Sequence, residues 1–159
     1  MKRVLQTNWL DIRLMRDWPY PAWQGFQYDY IEDIQIAEAL ADDRIVNVNA
    51  SLDWEADHWL MESDIAEDKK HSYRVAAIIL ALMNGGYLSK IELDTYALNC
   101  CSCVPNGHHR VRALEYLKCR VAPFGLQGTL DELEQLVELS GVPAKQAKRI
   151  LANSLRREK

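Results

Sequence analysis

Asn106-Gly107-His108-His109-Arg110-Val111-Arg112-Ala113-Leu114-Glu115-Tyr116-Leu117 begins as a glycine turn and continues as an amphipathic helix. The first turn of a helix carries unpaired backbone N–H groups and a partial positive charge. A glycine beside it lets another group approach the backbone closely, and such a turn is suited to an anion, most often a phosphate. Imidazoles and a guanidinium lie on the turn itself. The expected phosphate-binding residues are therefore Gly107, His108, His109 and Arg110. Arginine can hold two phosphate oxygens in a fork. His108 and His109 would donate to phosphate or act as acid and base near neutral pH.

The chain before this turn sets the order of elements. Tyr73 to Met83 is almost wholly apolar, a buried helix that Asn84-Gly85-Gly86 ends. Ile91 to Tyr96 alternates apolar and polar residues, as a half-buried strand does, and Leu98 to Val104 would be its hairpin partner. After the glycine turn, a helix is expected over Arg110 to Leu117. Arg120 to Phe124 reads as a short strand, with Pro123 pointing to a sheet edge. Thr129-Leu130-Asp131-Glu132 caps a helix to Leu139, and Pro143 starts a last one to about Arg156. Before the apolar helix, Ile31 to Leu40 has helical spacing and Arg44 to Asn49 reads as a strand. Asp53 to Trp59 reads as a loop entering a helix, and Asp64 to His71 as an exposed charged segment. Residues 9 to 30 hold seven of the fourteen aromatics around Pro19 and Pro21, an irregular aromatic arm. Such an arm covers the core or presents a surface for base stacking or a partner.

At 159 residues the chain can bury a real core, and 48% hydrophobic with 26% charged residues is ordinary for a globular protein. No apolar run approaches the roughly 18 residues that span a membrane. Met1-Lys2-Arg3-Val4 is not followed by the apolar segment of a signal peptide. A cytoplasmic protein without a membrane partner is expected. The net charge of −4 hides an asymmetry: Asp29 to Asp68 holds 13 acids and one base, Arg44, and the last fifteen residues hold six bases and one acid. The balance argues against a protein that coats nucleic acid uniformly and permits a basic binding face.

The order helix, Gly-Gly turn, strand, strand, Gly-His-His-Arg turn, helix, strand resembles the ParB/sulfiredoxin-like family over roughly residues 45 to 125. The matching residues are Arg74 to Gly86, Ile91-Glu92-Leu93-Asp94, and Val104 to Ala113. The resemblance implies an α+β fold, a small mixed sheet flanked by helices. It would occupy 1-128 with the aromatic arm, and a C-terminal helical hairpin over 129-159 would pack on it. In that family the turn binds nucleotide phosphates, which implies ATP or CTP with Mg²⁺ here. Gly107 takes the place of the close-approach glycine and Arg110 that of the phosphate-pairing base. Where sulfiredoxins keep a reactive cysteine, this chain has His108, so sulfinic-acid reductase activity is not expected. An arginine box like that of the CTP-hydrolysing partition proteins is not evident before Tyr73. Relatives that hydrolyse or transfer phosphate need a carboxylate, which would come from Asp53, Glu55 or Asp57; Glu55 and Asp57 join His108 and His109 as catalytic candidates.

Three further patterns give alternatives. Leu133 to Ile150 resembles a helix-turn-helix, with Gly141 four residues after Val137. Its second helix would present Lys145, Lys148 and Arg149 to duplex DNA, and a plain hairpin would leave them solvated. That supports a DNA-binding protein or a ParB-like nuclease. The acidic, aromatic N-terminal third would alternatively serve a non-enzymatic interaction module, and its acids would either mimic DNA or form an ordinary amphipathic surface. Cys100, Cys101, Cys103 and Cys119 are too clustered for a disulfide scaffold and do not match zinc spacings. Small reduced thiols on a strand, and no metal site, are expected.

Overall fold

Residues 3–4, 8–16, 28, 30–46, 64–94, 107–128 and 130–158 are described by the computed structural model. In chain order they form β1 (Arg3–Val4), β2 (Asn8–Asp11), α1 (Ile12–Arg16), α2 (Asp33–Leu40), α3 (Asp43–Val46), a 3-10 turn (Glu67–Lys69), α4 (Lys70–Met83), β3 (Ile91–Asp94), α5 (His108–Tyr116), β4 (Val121–Gly128), α6 (Leu130–Ser140), β5 (Gly141–Val142) and α7 (Ala144–Glu158). The fold is mixed α+β.

β4 is the spine of a small mixed sheet. β3 pairs with it in parallel, Ile91 opposite Phe124 through Asp94 opposite Gln127. On its other side β2 runs antiparallel, Asn8 opposite Phe124 through Asp11 opposite Val121, with β1 beyond it at Gly128 and Gln127. From Arg3 to Asn8 the outer segment advances five residues while β4 advances four, so the register moves by one between β1 and β2. β5 closes this side, with Val142 opposite Trp9 and Gly141 opposite Leu10.

Pro123 therefore lies in the central strand and not at a sheet edge, as the sequence had suggested. The amide of Ile12 donates to the Arg120 carbonyl at 2.7 Å. Backbone polar groups alternate sides along a strand, so this bond turns residues 120, 122 and 124 toward β2. The Pro123 nitrogen then faces the β3 side, one residue before β3 begins at the level of Phe124. The missing donor falls where no ladder bond is required.

One continuous cluster forms the main core. Leu10, Ile79, Ile91, Val111, Leu114, Val121, Phe124 and Leu133 are fully buried in it. A smaller cluster of Ala39, Ile45, Ile65, Tyr73 and Ala76 joins α2, α3 and α4.

The expected strand over Arg44 to Asn49 is corrected. Asp43–Val46 is a short helix, and 47–49 lie outside the described residues. Asp42 nucleates it: its Oδ1 accepts from the Arg44 amide at 2.9 Å, and its carbonyl accepts from the Ile45 amide at 3.0 Å. The Tyr73 hydroxyl donates to Asp42 Oδ2 at 2.6 Å, and the Arg44 guanidinium folds back on Asp42 and reaches Asp64. This tertiary cap outweighs the strand preference of Ile45 and Val46. The single base of the acidic stretch thus neutralises two of its acids.

The residues between α6 and α7 are also not the free turn of a helix-turn-helix. Gly141 and Val142 pair with β2, and Ala147 of α7 is fully buried in the main core. Among the described residues, no helix is long and apolar enough to cross a membrane.

Candidate functional site

Gly107 starts α5 in a left-handed conformation, φ +113°, and its carbonyl accepts the first helical bond from the Val111 amide at 3.0 Å. A Cβ placed there would stand 2.7 Å from Ile91 Cγ2 and 3.0 Å from Cγ1. The glycine is required twice over, by its φ and by the packing of the turn on β3.

The three residues after it diverge. His108 is half-buried, whereas His109 and Arg110 are buried. Arg110 turns inward: its Nη1 donates to the carbonyls of Ser89 (3.1 Å) and Lys90 (2.7 Å) and to Ser89 Oγ (2.9 Å). It thereby fixes the two residues that lead into β3. Arg112, two residues on and on the other side of the helix, donates from Nε and Nη2 to the Ile31 carbonyl (2.9 and 2.6 Å) and from Nη2 to Asp33 Oδ1 (2.7 Å). The Arg112 guanidinium holds the Asp33 carboxyl below the usual range. Two of the motif's cations thus hold α5 against β3 and α2.

His109 meets a residue that no sequence pattern links to it. Its Nε2 lies 3.0 Å from Nδ1 of His71, in the first turn of α4. One imidazole must donate and the other accept, so the contact holds one proton. Tyr28 covers the pair. Its ring stacks on His109 with centroids 4.0 Å apart and planes inclined 27°, and lies 4.7 Å from His71. His108 meets the edge of Tyr28 at 6.3 Å. Burial drives the His109 pKa down to about 2, aided by the charges of Arg74, His71, His108 and Arg110. His109 is a neutral hydrogen-bonding group at any ordinary pH, and His71, exposed to solvent, is its link to the outside.

His71 and Tyr28 were missed as site residues. His71 reads as part of an exposed charged segment and Tyr28 as one aromatic of the arm; 38 residues separate His71 from His109. The carboxylate candidates Asp53, Glu55 and Asp57, the thiols Cys100, Cys101 and Cys103, the expected strand Leu98 to Val104 and most of the aromatic arm lie outside the described residues. Among the described residues, no group of three or more His, Cys, Asp or Glu could hold a metal ion. Cys119 is a buried free thiol.

Lys145, Lys148 and Arg149 are exposed on α7. With Arg156 they occupy one helix face at spacings of three, four and eleven residues, opposite the buried Ala147 and Ser154. Compared with known proteins, the chain matches no family model, no curated protein and no solved structure.

Proposed function

We propose that the start of α5 is the phosphate site of a nucleotide-binding protein, with ATP or CTP as ligand and hydrolysis or transfer of a phosphoryl group as its chemistry. The observation that carries this reading is the gathering of three imidazoles beneath one tyrosine at the first turn of a helix. The helix supplies partial positive charge, and imidazole N–H groups suit phosphate oxygens. The order α4, β3, α5, β4, with β3 parallel to β4, supports the ParB/sulfiredoxin-like resemblance.

The roles within the turn are divided. His108 contacts phosphate. His109 stays neutral and orients His71. His71 Nε2, which has no hydrogen-bond partner among the described residues, exchanges a proton with a phosphoryl oxygen or an attacking water. Arg110 is a positioning residue that holds the approach to β3. Mg²⁺, when bound, would neutralise charge on the phosphates, with Asp53, Glu55 or Asp57 as its ligands.

A nucleotide panel with Mg²⁺, read by thermal shift and by phosphate release, tests this. ATP or CTP raises the melting temperature of the wild type. His108→Ala removes most of that shift, and His71→Gln lowers phosphate release more than it lowers binding. A wild-type melting temperature that no nucleotide moves sinks the proposal.

The cationic face of α7 favours a second reading, contact with duplex DNA. Lys145, Lys148 and Arg149 form no ion pair among the described residues, and such a row can follow a phosphate backbone. Retardation of duplex DNA that weakens steeply with salt, and that a Lys148→Ala/Arg149→Ala double substitution reduces, is the expected result. Salt-insensitive retardation, or none, removes this reading.

A further inference from the structure

A cavity of about 340 Å³ opens at the other end of α5, lined by Ile12, Arg13, Glu115, Lys118, Cys119 and Arg120. Nine helical residues put it about 13 Å from the imidazole cluster along the helix axis. We propose that this cavity binds a small organic anion, a carboxylate or phosphate monoester on a compact apolar body.

The cavity has two characters. Its floor is apolar: Ile12 and Cys119 are each 2% exposed. The Cys119 thiol donates to the Val121 carbonyl at 3.5 Å, and burial raises its pKa, so it stays uncharged. Its wall carries three cations, Arg13, Lys118 and Arg120, against the one acid Glu115. The Arg120 guanidinium is pre-set. Its Nη1 donates at 2.6 Å to Oδ2 of Asp11, a buried carboxylate whose Oδ1 already accepts from the amides of Arg13 and Leu14. Arg13 is largely exposed and lies 3.7 Å from Asp11, too long for a hydrogen bond.

Lys118 is the least expected member. It follows the α5 C-cap in a left-handed conformation, φ +57°, the one non-glycine with positive φ among the described residues. Its amide donates to the Glu115 carbonyl and that of Cys119 to the Leu114 carbonyl. These two bonds end a helix where glycine is the usual occupant. A lysine there gives up that ease and adds a cationic residue to the cavity lining. Its Nζ lies 3.4 Å from Asp33 Oδ2, an exposed ion pair that a ligand can displace. The volume lies at the small end of ligand pockets and suits one ring or a branched acid, not a nucleotide.

The test uses the full chain with benzoate and phenyl phosphate as probes and uncharged benzyl alcohol as control, followed by amide chemical shifts. At least one anionic probe causes saturable shifts at Ile12, Arg13, Cys119 and Arg120, and the preferred probe assigns the anionic group. Benzyl alcohol binds about tenfold more weakly or not at all. Lys118→Gly and Arg13→Gln each weaken binding about fivefold, whereas His108→Ala leaves it unchanged, which separates this site from the α5 start. Lys118→Gly keeps or raises the melting temperature without ligand, because glycine takes the left-handed position readily. The proposal is overturned if neither anion causes saturable shifts at these amides, if benzyl alcohol binds as well as the anions, or if both Lys118→Gly and Arg13→Gln leave affinity unchanged.

Discussion

At the scale of single residues, His109 shows how burial changes what a motif does. An imidazole beside a phosphate turn is read as a cation or as an acid–base group. Enclosed by Tyr28 and surrounded by positive charge, it is held neutral, with its pKa pushed down to about 2 from 6.5. The sign of the stability effect follows. Below pH 6.5 the unfolded chain binds a proton at this histidine and the native protein does not, so stability falls as pH falls, until His109 itself titrates near 2. Between pH 6.5 and 4.5 the loss is about 2 kcal/mol. The depressed carboxyls of Asp33 and Asp42 act in a lower window: their contribution is present above their ordinary 3.8 and fades below it. Urea denaturation across pH 4.5 to 7 should show this slope in the wild type and lose most of it in His109→Gln. An unchanged slope in the variant would contradict the burial argument. Arg110 carries the same lesson. Its position in a glycine turn was legible. Its direction was not, because a guanidinium that clamps Ser89 and Lys90 and one that faces solvent are written with the same letters.

At the scale of elements, helices were more legible than strands, for a reason that single elements expose. α4 and α5 carry their own periodicity, and both were expected within two or three residues of their observed bounds. β4 was read as five residues at an edge, because Pro123 seemed to forbid a central strand; only the level at which β3 begins makes it tolerable. α3 was read as a strand, because the cap at Asp42 depends on Tyr73, 31 residues away. The β2–α1 junction shows how much one such contact carries. Asp11, 1% exposed, caps α1 through the amides of Arg13 and Leu14 and holds Arg120 at the start of β4. Asp11→Ala should destabilise the protein by about 2–4 kcal/mol, since it uncaps a helix and leaves a half-buried guanidinium without its carboxylate. Asp11→Asn keeps an acceptor for the cap and should recover about half of that loss in urea denaturation. Equal destabilisation by both variants would mean that the charge on Asp11, and not the cap, dominates.

At the scale of the whole molecule, the C-terminal helices complete the sheet and the core. Their existence was legible in the capping residues and the Gly-Val-Pro break. That they pack on the rest of the fold was expected; the strand they add to the sheet was not, because β5 is only two residues long and has no pattern of its own. Those two residues pair with β2, while Leu133, Leu136 and Ala147 are buried in the same cluster as Leu10, Val121 and Phe124. Val137, Ile150, Leu151 and Leu155 pack around them, half-buried. Each fully buried leucine contributes about 1.5–3 kcal/mol, and domains of this size are stable by about 5–15 kcal/mol in total. Removing residues 129–159 therefore takes away a large share of that margin and uncovers one side of the sheet. The fragment 1–128 should show no cooperative urea transition and no near-ultraviolet dichroism from ordered aromatics, whereas the full chain unfolds in one step. A sharp transition in the fragment would make the hairpin a dispensable appendage. In that case the cationic face of α7 would have to be sought in a role that the rest of the fold does not share.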